Sequence, residues 1–409
     1  MNLKIPIKDK RLPPKGTPTF LDEIQTNFPL IILGLLVGFL LAEGMVRIAD
    51  PIPITAQRKD TLLGWANSEN SDSDFAGALI EKTPGQFEPQ FIRHIHINAL
   101  GLRDINRRYE KSPGTFRILM LGDSMVAAFE VDLNETFSQK LESKLRQTRK
   151  KKVEVINAGV RGYSTIQEWL YYKELGRAFQ PDLVILNYTH NDILDNIGAK
   201  HGVLGVEAER PILIQDVNTY LVQLPYLQKQ GIGETIKGFF SPQVLPAYCR
   251  LCNIALLQIQ RQFLQGRNEQ RLKNETYFST ISTDENKTTW DIAREAILRL
   301  RDEVKEDHAA FMIGIFPPEV AIDRNQWLDL LEQNPYLKNE NPSAHKVADF
   351  IKKIGSDKNI LIMDPTAEMV EATQQGQRLF WPIDGHLTEE GHSIYANSLY
   401  GFIVTHGWG

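Results

Sequence analysis

From residue 115 onward the chain alternates short apolar runs with amphipathic helical patterns, and this rhythm limits its fold more than any other feature. The strand-like runs are FRILML, VEVIN, DLVILNY, AAFMIGIF and NILIMD. Between the first two, Phe137, Leu141 and Leu145 recur at i, i+4 and i+8, the spacing of one helical face. Ile166, Trp169 and Leu170 mark a second face, and WDIAREAILRLRDEV and SAHKVADFIKKI supply two more. Strands that alternate with helices predict an α/β fold whose parallel sheet is covered on both sides. In such sheets ligands bind beyond the carboxyl ends of the strands.

The first run, Ile118 to Leu121, stops abruptly at Gly122-Asp123-Ser124. Turns use such residues, and so does a serine presented at a strand end for attack. A serine hydroxyl is a weak nucleophile that needs a base, a group to orient the base, and donors for the oxyanion. The second run leads into NAGVRGYST, residues 157–165, where Gly159 and Gly162 let backbone N–H groups approach a ligand closely. The third leads into NYTHNDILDN and puts Asn191 at a strand end, where a side-chain amide can donate to an oxyanion. Near the C-terminus, WPIDGHLTEEGHSIYA places Asp384 two residues before His386. Thr388 then reads as a helix N-cap, with Glu389 and Glu390 in the first turn. Singly, each of these is ordinary turn chemistry. Their order at successive strand ends of one α/β pattern points to nucleophilic catalysis.

Taken together, the blocks LGDSM, NAGVRGYS, THND and DGHLTEEGH resemble those of the SGNH (GDSL-type) hydrolases, a family named for its Ser, Gly, Asn and His. The resemblance covers about residues 115–409 and leaves an insertion at about 197–290 unmatched. It implies a three-layer α/β/α sandwich around a parallel sheet (SGNH/flavodoxin-like), ester hydrolysis, and no cofactor or metal. It implies Ser124 as nucleophile, His386 as base and Asp384 as the group that orients His386. The implied oxyanion hole is the backbone N–H of Ser124, the N–H of Gly162 and the side chain of Asn191. Gly162 is preferred to Gly159 because the second glycine of this block usually takes the role in the family. Asp123 would brace the nucleophile turn.

The sequence departs from the family pattern in two places. The last block usually has Asp three residues before His, and here the spacing is two. Glu389 and His392 keep the three-residue spacing and form an alternative pair. The third block usually reads Gly-x-Asn-Asp, and Thr189 stands in place of that glycine. This narrows the site and puts His190 near the substrate path, where a packing or solvent-facing role is expected of it.

Ahead of the α/β pattern lies FPLIILGLLVGFLLAEGMVRIA, Phe28 to Ala49, uncharged from Phe28 to Ala42. About 20 apolar residues span a bilayer, so the segment reads as an uncleaved transmembrane anchor. A cleaved signal peptide, with Ala42-Glu43-Gly44 as the small-residue site, and a buried core helix are the alternatives. Lys4, Lys8, Lys10, Arg11 and Lys15 precede the segment, while Arg47, Arg58 and Lys59 follow it. The excess on the amino side predicts a tail inside and the bulk of the protein outside. The expected organisation is a cytoplasmic tail at 1–27, the anchor at 28–49, a linker and extension at 50–112, and the hydrolase-like domain at 113–409. RLCNIALLQIQRQFL suggests that the insertion forms a helical cap.

Composition closes other routes. The formal net charge of −5 leaves no basic footprint for nucleic acid. No GxGxxG or Gly-x-x-x-x-Gly-Lys sequence marks a nucleotide site. The two cysteines, Cys249 and Cys252, have CxxC spacing without a strand–helix context, and are expected as a disulfide or as packing thiols. His94 and His96 alternate with isoleucines in FIRHIHIN and are expected on an edge strand with a polar face, without further metal ligands nearby in sequence. The expected activity is that of a membrane-anchored, extracytoplasmic serine ester hydrolase working through an acyl-enzyme. Its expected partners are an ester-bearing small molecule, glycan or lipid, and the membrane through the N-terminal helix. Two other readings share the pattern: an O-acyltransferase acting on an exported polysaccharide, and a non-catalytic anchored binding module. The presence of all four signature residues argues against the last.

Overall fold

A computed structural model describes residues 20–49, 57–83, 86–148, 152–197, 200–203, 206–216, 219–225, 277–279 and 284–408. The cysteines, the helical run at 250–264 and the tail at 1–19 lie outside them. The chain divides into two units, Met1–Pro51 and Ile52–Gly409.

In the first unit Phe20–Ala49 forms one helix of 30 residues. Its described side chains are Phe28, Leu30 and those at 32–44. Those from Phe28 to Leu41 are exposed apolar groups and glycines, with Leu35 70 % exposed. Among the described residues, no helix is long and apolar enough to cross a membrane. The expected span at 28–49 therefore gains no support here.

The second unit is built on a parallel sheet of five strands: β1 Thr115–Leu121, β2 Lys152–Asn157, β3 Leu183–Tyr188, β4 Ala310–Ile315 and β5 Leu361–Met363. Their spatial order is β5-β4-β3-β1-β2. Each central strand is apolar on both faces because both faces are covered. Leu119 and Leu121 of β1 join one buried cluster, while Ile118 and Met120 join the other. Val184 and Leu186 of β3 divide from Leu183 and Ile185 in the same way. Helices α2 Thr165–Glu174, α3 Asp284–Glu306 and α4 Lys346–Lys358 supply apolar faces to the first cluster. Helices α1 Phe137–Thr148, α5 Thr366–Gln374 and α6 Glu389–Thr405 cover the second. The α/β architecture read from the alternation is thus present.

The chain leaves β1 for β2 on one side and then crosses to β3 on the other. The β1/β3 junction is therefore the point at which the winding reverses, where open α/β sheets bind ligands. Ser124 follows β1 and Asn191 follows β3.

The extension and the described residues 200–223 of the insertion form hairpins. Gln57–Asp60 pairs with Gly64–Asn67, Ser71–Ala76 with Ile92–Ile97, and Leu79–Thr83 with Gln86–Pro89. The first hairpin braces the loop after β2: Trp65 Nε1 and Gln57 Nε2 donate to the Arg161 carbonyl at 3.0 and 3.3 Å. On the second, His94 and His96 are exposed opposite Asp74 and Asp72, as the polar face of a strand should be. In the insertion, Lys200–Val203 pairs with Val206–Glu209 and Ile212–Asp216 with Thr219–Gln223. Residues 200–223 of the expected helical cap are thus β-structure, while the helical run at 250–264 lies outside the described residues.

Candidate active site

Asp123 ends β1 by capping the short helix Ser124–Ala127, its Oδ1 accepting from Met125 N–H at 2.9 Å. This is the bracing expected of it, and it leaves Ser124 at the first helical position, half-buried at the strand end. The loop after β2 continues the ladder past the sheet: Ala158 N–H donates to Met120 O at 2.9 Å and Val160 N–H to Gly122 O at 3.1 Å. Gly159 is required here by close approach. A Cβ on it would stand 2.4 Å from Ala127 N and 2.6 Å from the Val126 carbonyl carbon.

The C-terminal block folds into a tight loop. Phe380 bridges Leu387, Trp381 N–H donates to His386 O at 2.8 Å, and Gly385 N–H donates to Trp381 O at 2.9 Å. Gly385 takes a φ of 77°, and that left-handed turn between Asp384 and His386 favours glycine. As a result the shortened spacing still brings carboxylate and ring together. Asp384 Oδ1 lies 2.6 Å from His386 Nδ1, and His386 Nε2 lies 2.8 Å from Ser124 Oγ. Thr388 caps α6 by accepting from Gly391 N–H at 3.2 Å.

Electrostatics set the ring for proton uptake. Burial pushes His386 down, but the Glu130 charge and the hydrogen bond and charge of Asp384 outweigh it and raise the ring above the usual histidine value. Burial pushes Asp384 up, yet its hydrogen bond to His386 and the charges of His386 and Arg161 hold it below the usual aspartate value.

The alternative pair is taken apart by the fold. Glu389 pairs with Arg93 Nη2 at 2.6 Å. His392 is buried, stacked on Phe137 with ring centroids 5.8 Å apart, and burial drives it down to about 3.

The expected oxyanion donors are placed unevenly. Among the described residues the backbone N–H groups of Ser124 and Gly162 donate to no acceptor, and Gly162 has a φ of 78°. Gly162 does not line the cavity at the serine. Asn191 does, but its amide is already engaged, Nδ2 donating to Asp123 Oδ2 at 3.0 Å and to Asp195 Oδ2 at 2.9 Å. In this structure both its hydrogens therefore serve carboxylates, and it reaches an oxyanion only by releasing one. Thr189, which stands where glycine was expected, ties Asp192 and Asp123 into the same buried cluster through its hydroxyl and backbone N–H. Burial raises both carboxylates, Asp192 well above its usual value. His190 lies edge-on to Tyr277 at 5.0 Å, and burial lowers it to about 4, so it is neutral at pH 7.

The serine and histidine open into a cavity of about 470 Å³. Phe278, Phe316, Pro317, Val320, Leu330 and Phe380 give it an apolar wall, and Asn191 and His190 a polar corner.

Two charged residues at the site had drawn no attention in the sequence. Glu130 is 1 % exposed, and its Oε1 bonds Arg161 Nη1 and lies 3.5 Å from His386 Nδ1. The signal for it was a lone carboxylate within MVAAFEV, a run otherwise apolar enough to be buried. Glu130, Asp384 and His386 also offer three donor atoms within 4.8 Å of one another. The 2.6 Å Nδ1–Oδ1 separation is that of a short, charge-assisted hydrogen bond. Two ligands about 2.1 Å from one ion at tetrahedral angles would stand roughly 3.4 Å apart.

No family model matches the chain, and no curated protein matches it. Solved structures do. An acetyl xylan esterase, AlAXEase, aligns over 70 % of this chain and 100 % of its own at 11 % identity and a TM-score of 0.37. A catalytic variant of the acetylxylan esterase Axe2 from Geobacillus stearothermophilus aligns over 74 % and 98 %, at 13 % identity and 0.39. A psychrotrophic esterase, EstA, from a Pseudoalteromonas species aligns over 71 % and 97 %, at 12 % identity and 0.34. Likeness at these scores adds nothing to the geometry above.

Proposed function

We propose that this chain is a serine ester hydrolase of the SGNH (GDSL-type) family, with Ser124 as nucleophile, His386 as base and Asp384 as its orienting carboxylate. The observation that carries this reading is the unbroken hydrogen-bonded chain from Ser124 Oγ through His386 to Asp384 at the mouth of a cavity. Serine, base and orienting acid within 2.6–2.8 Å contacts are the requirement for an activated hydroxyl.

The hydroxyl proton passes to Nε2 as Oγ bonds the ester carbonyl carbon. The resulting oxyanion takes the Ser124 N–H, joined by the Asn191 amide if it gives up one carboxylate. Collapse expels the alcohol, which receives the proton from Nε2, and leaves an acyl-serine. Water, deprotonated by the same nitrogen, then releases the acid. The apolar wall at Phe278, Phe316 and Phe380 suits an acyl chain or a hydrophobic alcohol.

Nitrophenyl ester hydrolysis by Ser124→Ala tests the reading. Loss of roughly 10³-fold or more with an unchanged fold is expected, and unaltered turnover sinks it.

We further propose that Phe28–Ala49 anchors the protein, with residues beyond it outside the cytoplasmic membrane. The uncharged run from Phe28 to Ala42, its exposed apolar side chains and the basic residues before it support this.

A further inference from the structure

We propose that Glu130 is a second carboxylate partner of His386 Nδ1, a positioning residue that shares with Asp384 the work of holding the ring and opposing its charge. This rests on the esterase reading for its consequence but not for its geometry.

The sequence delivers Glu130 by a short detour. The helix Ser124–Ala127 ends at Ala128, whose φ of 53° turns the chain, and the buried Arg103 guanidinium bonds the Ala127, Ala128 and Val131 carbonyls. Glu130 is thus fixed on both sides by backbone held to one cation. Its Oε1 faces two positive groups at once, the Arg161 guanidinium and His386 Nδ1. Its Oε2 is buried and has no hydrogen-bond partner among the described residues. Arg161 is itself clamped, 4.7 Å above the Phe75 ring and 5.4 Å above Phe129. A glutamate needed only as a counter-ion for Arg161 would not have to share the oxygen it uses with the histidine.

Charge gives the arrangement its purpose. Besides Asp384 on its own loop and Glu130, the ionisable groups facing His386 are Arg161 from the β2–α2 loop, Asp123 beside Ser124, and His392 of α6. Burial keeps His392 neutral. Asp384, Glu130 and Arg161 together leave one net negative charge, to which Asp123 adds when ionised, and the imidazolium formed during Ser124 attack offsets it. Asp384 accepts the Nδ1 proton at 2.6 Å; Glu130, at 3.5 Å, is too far for a strong bond but close enough to act on the charge. With Asp384 truncated, Glu130 is the nearest remaining acceptor.

The test uses the full chain in detergent. The acid limb of kcat/KM for a nitrophenyl ester is compared between the native protein, Glu130→Gln, Glu130→Asp, Asp384→Ala and the double variant Asp384→Ala/Glu130→Gln. The native limb should lie above the usual histidine value of about 6.5. Glu130→Gln should move it to lower pH, and Glu130→Asp should restore it. Asp384→Ala should lose no more than about 100-fold, and the double variant about 100-fold more. An unmoved limb in Glu130→Gln, or a double variant no worse than Asp384→Ala, overturns the proposal. Removing one partner of a buried ion pair can unfold a protein. Should Glu130→Gln fail to fold, the His386 ring in Asp384→Ala decides, followed by NMR of ¹³C-labelled histidine. Titration still above the usual value supports Glu130, and titration below it refutes the role. Because this readout needs no substrate, absence of any hydrolysis would count against the esterase reading while the ring still reports on Glu130.

Discussion

His386 and His392 stand six residues apart and are shifted in opposite directions by what surrounds them. Two carboxylates face the first and raise it. The second has a phenylalanine ring against its face, and accepts from Phe137 N–H at 3.4 Å, so it must stay neutral. The consequence for stability has a definite sign. Unfolded, His392 binds a proton below about 6.5; folded, burial delays this to about 3. Between those values the unfolded chain holds the extra proton, so stability is full above about 6.5 and declines as pH falls toward 3. The melting temperature should drop across that window, and His392→Gln should make the drop shallower in a calorimetric pH series. An equal slope in the variant would show that other groups govern acid unfolding. At this scale Ser124, Asp384 and His386 were legible because each sits in a short block whose residue types have few other uses in combination. Glu130 was not, since a single carboxylate in an apolar run shows that it will be buried without showing against what.

Elements place these residues, and the loop after β2 is the most exacting of them. Asn157 Nδ2 donates to Val126 O at 2.8 Å, its Oδ1 accepts from Gly159 N–H at 3.0 Å, and Gly159 lies flush on the Val126–Ala127 backbone. The loop and the helical turn carrying Ser124 therefore form one packed body. Gly159→Ala would force them apart at an atom that cannot rotate away. A loss of about 1–3 kcal/mol is expected in urea unfolding, with a larger fractional loss of hydrolysis than of folded protein. A fully stable and active variant would show that the contact is soft. The five strands were readable because a doubly covered strand is apolar throughout, and α1 and α2 because their apolar positions repeat at helical spacing. The hairpins between 57 and 97 were read only in part. Short strands such as Gln57–Asp60 and Ser71–Ala76 carry polar faces, and pairing defines them more than composition does.

Over the whole molecule, the order β5-β4-β3-β1-β2 sends the chain opposite ways from β1, and the site occupies the resulting crevice. The proposed anchor belongs to this scale as well. In a bacterial host the full chain should stay with alkaline-washed membranes and be cut by protease added outside the cytoplasmic membrane. Recovery in the wash would refute the anchor, and protection from the protease would refute the orientation. The sequence by itself determined the α/β rhythm, the strand ends and which residues to propose as a triad, because periodicity and turn chemistry are local properties. Only the tertiary structure decided which oxygen meets which nitrogen. It engaged the Asn191 amide with Asp123 and Asp195, separated Glu389 from His392, and made a two-residue Asp–His spacing workable through the left-handed turn at Gly385. It also brought Glu130, Arg161 and His386 together from three separate segments. Such contacts depend on how strands and loops pack in space, and spacing along the chain carries no record of it.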